Sequence, residues 1–394
     1  MFDNFAGAPG IGGSARIDMK IALVRARYNP FGGAERFVAN ALSSLQAQNI
    51  QLTIVTRSWQ QQPGVDALVV NPFYLGNVWR DWGFARKTCA ATSQENFDLV
   101  QSHERLACCD VYRAGDGVHR EWLTQRKRTK GAWGRWSISL NPYHHYVLRA
   151  ERALFSSDRL KAVICNSEMV KNEIHAYFGA AAAEKCHVIY SGVDSQQFSP
   201  QLRQAHRESF RAEYRIPSDA LVYLFVGSGF ERKGVAPFLQ ALSKLPSNCY
   251  GVIVGTDKRK AVYEKEATTL SLDGRVYFTG GLKNVGPAYG AADVFVLPTL
   301  YDPFPNAALE AMASGLPIIT SNKSGAAELI QNGVNGYYCD ALDVDALARA
   351  MIALQDEQQR QTIGTAARST VLPLTFEAMS GRLIVLYKNL LGLG

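Results

Sequence analysis

Asp293-Val294-Phe295-Val296-Leu297-Pro298-Thr299-Leu300-Tyr301-Asp302-Pro303-Phe304-Pro305-Asn306-Ala307-Ala308-Leu309-Glu310-Ala311-Met312-Ala313-Ser314-Gly315-Leu316-Pro317-Ile318-Ile319-Thr320 reads as a strand, a stiff loop, a short helix and a second strand. The run from Asp293 to Leu297 is apolar and rich in β-branched residues, and Pro298 stops it, as expected of a buried strand that ends at a sheet edge. Prolines stiffen the loop, and Asn306 offers an N-cap side chain to the helix-forming run from Ala307 to Ser314. Gly315 closes that helix, Pro317 follows it, and Ile318 and Ile319 open the next strand. In such a parallel βαβ unit the helix N-terminus, at Asn306 and Ala307, presents free N–H groups and a positive dipole end at the sheet's carboxyl edge. A phosphate fits there. Asp302 in the loop and Glu310 about one turn inside the helix would repel anions, so their useful partners are hydroxyls. Hydroxyls beside a phosphate point to a sugar nucleotide.

The spacing from Asp302 to Glu310, followed by Ala-Met-Ala-Ser-Gly-Leu-Pro, resembles the retaining GT-B glycosyltransferases of family 4. The resemblance implies that Glu310 holds the nucleotide ribose and Asp302 the transferred sugar. Asp302 stands where that family usually has Glu, which sets its carboxylate one methylene closer to the backbone. Apart from the resemblance, Glu310 also reads as a helix-surface residue and Asp302 as a turn residue.

The 394 residues are 47% hydrophobic and 20% charged, the proportions of a soluble globular protein, and two domains are the natural count. A net charge of +7 fits an anionic partner, whether nucleic acid, phospholipid headgroups or a phosphorylated substrate. No apolar run has the length of a membrane span, and residues 1–18 lack the order of a signal peptide, so a cytoplasmic protein is expected. Residues 1–18 read as a disordered leader or an appended tail. The seven cysteines form neither a metal-ligand spacing nor a disulfide framework, and Cys108-Cys109 reads as core filler.

A first domain is expected over 19–200. Its opening strand leads through Gly32-Gly33-Ala34-Glu35 into a helix over 34–48, an arrangement that lets backbone approach a phosphate, although a plain βα turn reads the same way. The resemblance makes Gly32, Gly33 and Glu35 donor-side candidates. Strands follow near 52–56, 68–70, 97–104 and 111–114. His103 lies at the carboxyl end of one of them, where functional groups gather in doubly wound sheets, and it is either a cleft residue or a structural histidine. Asp116, between Gly115 and Gly117, is either a turn aspartate or, by resemblance to the family's lipopolysaccharide core glucosyltransferases, the residue facing the acceptor hydroxyl.

Arg126, Lys127, Arg128 and Lys130 run ahead of Trp133 and Trp136. Cations interleaved with aromatic rings suit an anionic membrane surface, nucleic acid or a solvated helix. The resemblance favours the membrane, since the core glucosyltransferases dock on the inner leaflet to reach a lipid-borne acceptor; no nucleic-acid partner is expected.

A polar, poorly periodic segment over 201–218 reads as the linker to a second domain over 219–374. There the strand 221–226 ends in Gly227-Ser228-Gly229-Phe230-Glu231-Arg232-Lys233-Gly234, a glycine-rich turn whose two cations suit a departing diphosphate. It resembles the family's Arg-Lys-Gly loop. Further strands are expected at 251–256 and 275–280, with amphipathic helices over 344–358 and 375–391, the last packing back on the first domain.

The expected fold is therefore α/β of GT-B type, two Rossmann-like doubly wound domains facing a central cleft, with the acceptor on the N-terminal and the nucleotide sugar on the C-terminal domain. The implied reaction transfers a hexosyl unit, foremost glucose from UDP-glucose, with retention, to a lipid-linked saccharide such as the lipopolysaccharide inner core, at the inner face of the cytoplasmic membrane. No cofactor or metal is expected, on the reading that Arg232 and Lys233 supply the positive charge and that neither an Asp-x-Asp sequence nor a histidine cluster stands ready to hold an ion. The alternatives are a mannosyl-, galactosyl- or N-acetylglucosaminyltransferase of the same family, or a non-catalytic two-lobed protein that binds nucleotide sugars.

Overall fold

Short β-branched runs form two sheets, whose inner strands are buried on both faces. The computed structural model describes residues 19–27, 50–59 and 66–393; residues 1–18, the helix expected over 34–48 and the candidates Gly32, Gly33 and Glu35 lie outside the described residues. The first sheet contains β1 (Met19–Val24), β2 (Ile50–Thr56), β3 (Asp66–Val69), β4 (Leu99–Ser102), β5 (Val111–Arg113), β6 (Ala162–Cys165) and β7 (Cys186–Val188), in the order β3-β2-β1-β4-β5-β6-β7. The second contains β8 (Leu221–Val226), β9 (Cys249–Val254), β10 (Val276–Gly280), β11 (Val294–Leu297), β12 (Ile318–Ser321) and β13 (Tyr337–Cys339), in the order β10-β9-β8-β11-β12-β13. All pairings are parallel; Ile21 lies opposite both Leu52 and Leu99, and Phe295 opposite both Leu224 and Ile318. In each sheet the winding reverses beside the first strand, between β1 and β4 and between β8 and β11, and in doubly wound sheets ligands gather at the carboxyl ends near that point.

Alternation along β1 sends Met19, Ile21 and Leu23 to one face and Ala22 and Val24 to the other. The first face is covered by Met379, Leu383 and Tyr387 of the helix Phe376–Leu390, which returns from the end of the chain. The stretch Glu357–Leu390 has the length and apolarity of a membrane span, yet it is two helices, Glu357–Val371 and Phe376–Leu390, the second capped by the Thr375 hydroxyl. The chain crosses between lobes at two adjacent points, where Val193 N–H donates to the Leu374 carbonyl at 2.8 Å.

Two expectations are corrected. Residues 201–218 are largely helical, with Gln201–Glu213 packed on the second lobe. Arg203, Arg207 and Arg211, four residues apart on one face, reach Asp293 at 3.1, 3.0 and 2.8 Å, and Val222 N–H donates to the same carboxylate. Burial pushes Asp293 upward, but Arg207 and Arg211 outweigh it and hold the carboxyl below its usual range. Cys108, expected in the core, forms a disulfide with Cys89 of the helix Gly76–Gln94, their Cα atoms 5.8 Å apart. That proximity arises when the helix folds over the loop after β4, and it leaves no spacing pattern in the sequence. Cys109 is buried.

Candidate active site

At the carboxyl edge of the second sheet, the turn after β8 is pressed onto the end of β11. Gly229 and Gly234 bracket a single helical turn, Phe230–Lys233, with φ values of 77° and 85°. A Cβ on Gly234 would overlap the Pro298 carbonyl oxygen, so only glycine permits both the conformation and the approach. The Arg232 carbonyl then accepts from Leu300 N–H at 2.8 Å and from the Thr299 hydroxyl at 2.9 Å. Through this stitching Lys233 Nζ contacts Asp302 Oδ2, while an Arg232 terminal nitrogen lies 3.7 Å from Asp302 and donates to the Tyr301 carbonyl at 3.1 Å.

Asp302 is 6% exposed. Burial raises its carboxyl, but Lys233 and then Arg232 prevail and hold it below the usual carboxylate range. Burial dominates for Lys233 and lowers its ammonium despite the Asp302 charge. The pair is thus an ion pair inside the protein, and Arg232, more exposed, carries the less neutralised charge. The expected N-cap at Asn306 is corrected: the helix is Asn306–Ala313, Pro305 occupies the cap position with extended backbone, and no side chain caps the helix. The extended Pro305 moves Asn306 into the first turn. Glu310 is buried on this helix and accepts from the Tyr289 hydroxyl at 2.9 Å; Gly315, at φ 79°, closes the helix as expected.

Tyr301 links this centre to the first lobe. Its hydroxyl donates to Glu173 at 2.6 Å and accepts from Val118 N–H at 2.9 Å, across 128 and 183 residues. Lys323 sits between Glu121 and Glu173 at 2.8 and 3.2 Å. Gly117 has φ 68°, and a Cβ there would overlap the Tyr301 hydroxyl. Asp116 and Asp302, one in each lobe, are therefore each one residue away from the same contact. The sequence gives Tyr301 no role and marks Gly117 only as a flank of the Asp116 turn.

In the first lobe, Asp116 is exposed and lines a cavity at the carboxyl ends of β1, β2 and β4. His103 is buried, with its ring beside the Gln101 amide at 3.4 Å. Burial, with Arg113 and Arg25 nearby, pushes its imidazole well below the usual range, so it is neutral. The neighbouring Glu104 and Arg105 line the cavity, because the chain turns outward after β4. Arginines at 25, 27, 57 and 80 join them; apart from Arg25 and Arg27 they lie far apart in the sequence, with no spacing that marks one site.

The basic run is divided between two roles. Arg126 and Lys130 meet Glu231 of the second lobe at 3.8 and 2.6 Å, and Arg128 forms a two-pronged pair with Asp340 at 2.9 Å. Trp133 and Trp136 stand 83% and 60% exposed, edge to face at 6.1 Å. The expectation that no Asp-x-Asp sequence is present is corrected: Asp343-Val344-Asp345 is one, but Asp343 caps the helix Val344–Ala353 and Asp345 pairs with Lys244.

Residues 31–197 match the family described as Glycosyltransferase Family 4, and residues 206–370 that described as glycosyl transferases group 1. Spore coat protein SA of Bacillus subtilis is 32% identical over 339 residues, which cover 81% of this chain and 85% of that protein. The lipopolysaccharide glucosyltransferase WaaG of Escherichia coli is 26% identical over 319 residues, covering 79% of this chain and 83% of that protein. The crystal structure of WaaG superposes with a TM-score of 0.80 at 23% identity, covering 93% of this chain and 99% of that one. With two parallel Rossmann-like sheets and both halves matched, the chain belongs to the GT-B glycosyltransferases of family 4.

Proposed function

We propose that the chain transfers a hexosyl unit, glucose from UDP-glucose, to a hydroxyl of a lipid-linked saccharide such as the lipopolysaccharide inner core, with the anomeric configuration retained. The observation that carries this reading is the convergence of Arg232, Lys233 and Asp302 beside the N-terminus of the Asn306–Ala313 helix, with Glu310 one turn inside. Arg232 and the first N–H groups of the helix at Asn306 and Ala307 stabilise the charge that grows on the leaving diphosphate. Lys233 keeps Asp302 ionised, so that this carboxylate accepts from sugar hydroxyls, while Glu310 accepts from the ribose. The bond from the anomeric carbon to phosphate oxygen breaks as the acceptor oxygen bonds on the same face, and the departing phosphate oxygen takes the acceptor proton. Asp116 faces the acceptor side. These cations supply the electrostatic stabilisation without a metal ion.

Similarity to WaaG along most of both chains supports the lipopolysaccharide acceptor. Exposed Trp133 and Trp136, with Lys127 at the end of the preceding helix, support peripheral attachment to the anionic inner face of the cytoplasmic membrane.

Hydrolysis of a panel of nucleotide sugars by the purified chain, with a metal chelator present and Glu310→Ala as control, tests the reading. UDP release from UDP-glucose, lost in the control, is expected. Turnover of another donor would change the sugar, and failure to turn over or bind any donor would overturn the enzymatic assignment.

A further inference from the structure

The cavity that Asp116 lines measures about 250 Å³ and lies between the carboxyl ends of the first sheet and the helices Gly76–Gln94 and Pro142–Phe155. Arg25, Arg27, Arg57, Arg80 and Arg105 line it against three carboxylates, those of Asp81, Glu104 and Asp116, so the described wall carries two positive charges in excess. Three of the arginines have an acidic partner: Arg80 is forked onto Asp81, Arg25 lies 3.7 Å from Glu104, and Arg105 pairs with Glu151 at 2.9 Å. Arg57 and Arg27 make no ion pair among the described residues.

Arg57 is 8% exposed. Its terminal nitrogens donate to the Asn71 side-chain oxygen at 2.7 Å and to the Pro72 and Arg80 carbonyls at 3.2 Å, and its guanidinium lies 4.5 Å from the Tyr74 ring centroid. Each of these partners is neutral. They fix the guanidinium in place without cancelling its charge, and a buried cation of that kind favours an anion brought into the adjoining space. The volume is slightly below the ~300–1,000 Å³ of sites that enclose drug-sized ligands, which leaves room for a single charged ring.

We infer that this cavity binds an oxyanion, phosphate or carboxylate, carried on the acceptor saccharide, with Arg57 and Arg27 as its cationic ligands and Asp116 and Glu104 accepting from hydroxyls of the same ring. The inference rests on the reading that the first lobe takes the acceptor, and it adds that the acceptor is negatively charged next to the hydroxyl that reacts.

Calorimetric titration of the full chain at low salt with mannose, mannose 6-phosphate and mannuronate, without donor, tests it. A charged sugar binds at least about tenfold more tightly than mannose, as expected of charge-assisted hydrogen bonds, and the preference shrinks as salt rises. Preference for the phosphate or for the uronate assigns the anion. Arg57→Gln and Arg27→Gln each remove most of that preference; Arg27 is exposed, so its substitution cannot act by unfolding a core. Equal binding of all three sugars, no binding of any, or an unchanged preference in both variants overturns the inference. UDP-glucose hydrolysis by the unaltered chain is read separately: hydrolysis without charge preference sinks this inference alone, and charge preference without hydrolysis sinks the proposed reaction alone.

Discussion

The carboxyl edge of the second sheet is closed around its own charges. Asp302 and Glu310 are buried and partnered, and two backbone segments approach so closely at Gly234 and Pro298 that no side chain fits between them. At the same edge of the first sheet the charges surround a space: arginines held by neutral carbonyls or by single carboxylates line an accessible cavity. An edge shaped by backbone contact and an internal ion pair has its geometry before any ligand arrives, and this suits a group that is the same in every turnover. An edge with excess charge around open space is completed by its ligand. The difference teaches that one lobe holds a preorganised centre and the other a selective one.

The largest expected effect tests the closed edge. Gly234→Ala combines a positive φ with overlap on the Pro298 carbonyl, and a loss of about 3 kcal/mol or more is expected in denaturant unfolding, together with loss of donor turnover. Native-like stability would show that the two segments are free to separate. Asp302→Asn leaves Lys233, only 12% exposed, without its carboxylate, and a loss of about 3 kcal/mol is expected. If the variant were as stable as the parent, the ion pair would not be the keystone of that edge.

Tyr301→Phe sharpens the comparison, because the hydroxyl it removes joins the two edges. Glu173 and Val118 N–H lose a buried partner, at a cost of about 2 kcal/mol, and turnover should fall more than donor affinity. An equal fall in both would place Tyr301 in donor binding instead. The smallest effect belongs to the rim: Arg128→Ala removes a partly exposed pair with Asp340, and about 0.5 kcal/mol or less is expected, vanishing at high salt.

Local pattern determined a good deal. Apolar, β-branched runs ended by glycine or proline mark strands buried on both faces, hence parallel sheets with helices on each side, and strands such as 221–226 and 294–297 fall where those runs lie. The Arg232-Lys233-Gly234 turn and the Asp302 to Glu310 spacing were legible because their chemistry is carried by neighbours in sequence. The helix Gly76–Gln94 had no such signal: it buries only Gly83, Phe84, Thr88 and Thr92 and keeps tryptophans at its surface. The helix Gln201–Glu213 did leave one, in arginines four residues apart, but their partner Asp293 lies 82 to 90 residues on.

What tertiary structure alone decided are the meetings of distant residues. The cations at 126, 128 and 130, which look alike in sequence, face the second lobe because Glu231 and Asp340 are carried there, while Trp133 and Trp136 remain outside. Cys89 joins Cys108, Tyr301 reaches Glu173, and scattered arginines become the wall of one cavity. Periodicity and spacing report what a segment does to its own neighbours; a charge or hydroxyl acquires its role from whatever the folded chain sets opposite it, and that depends on every element in between.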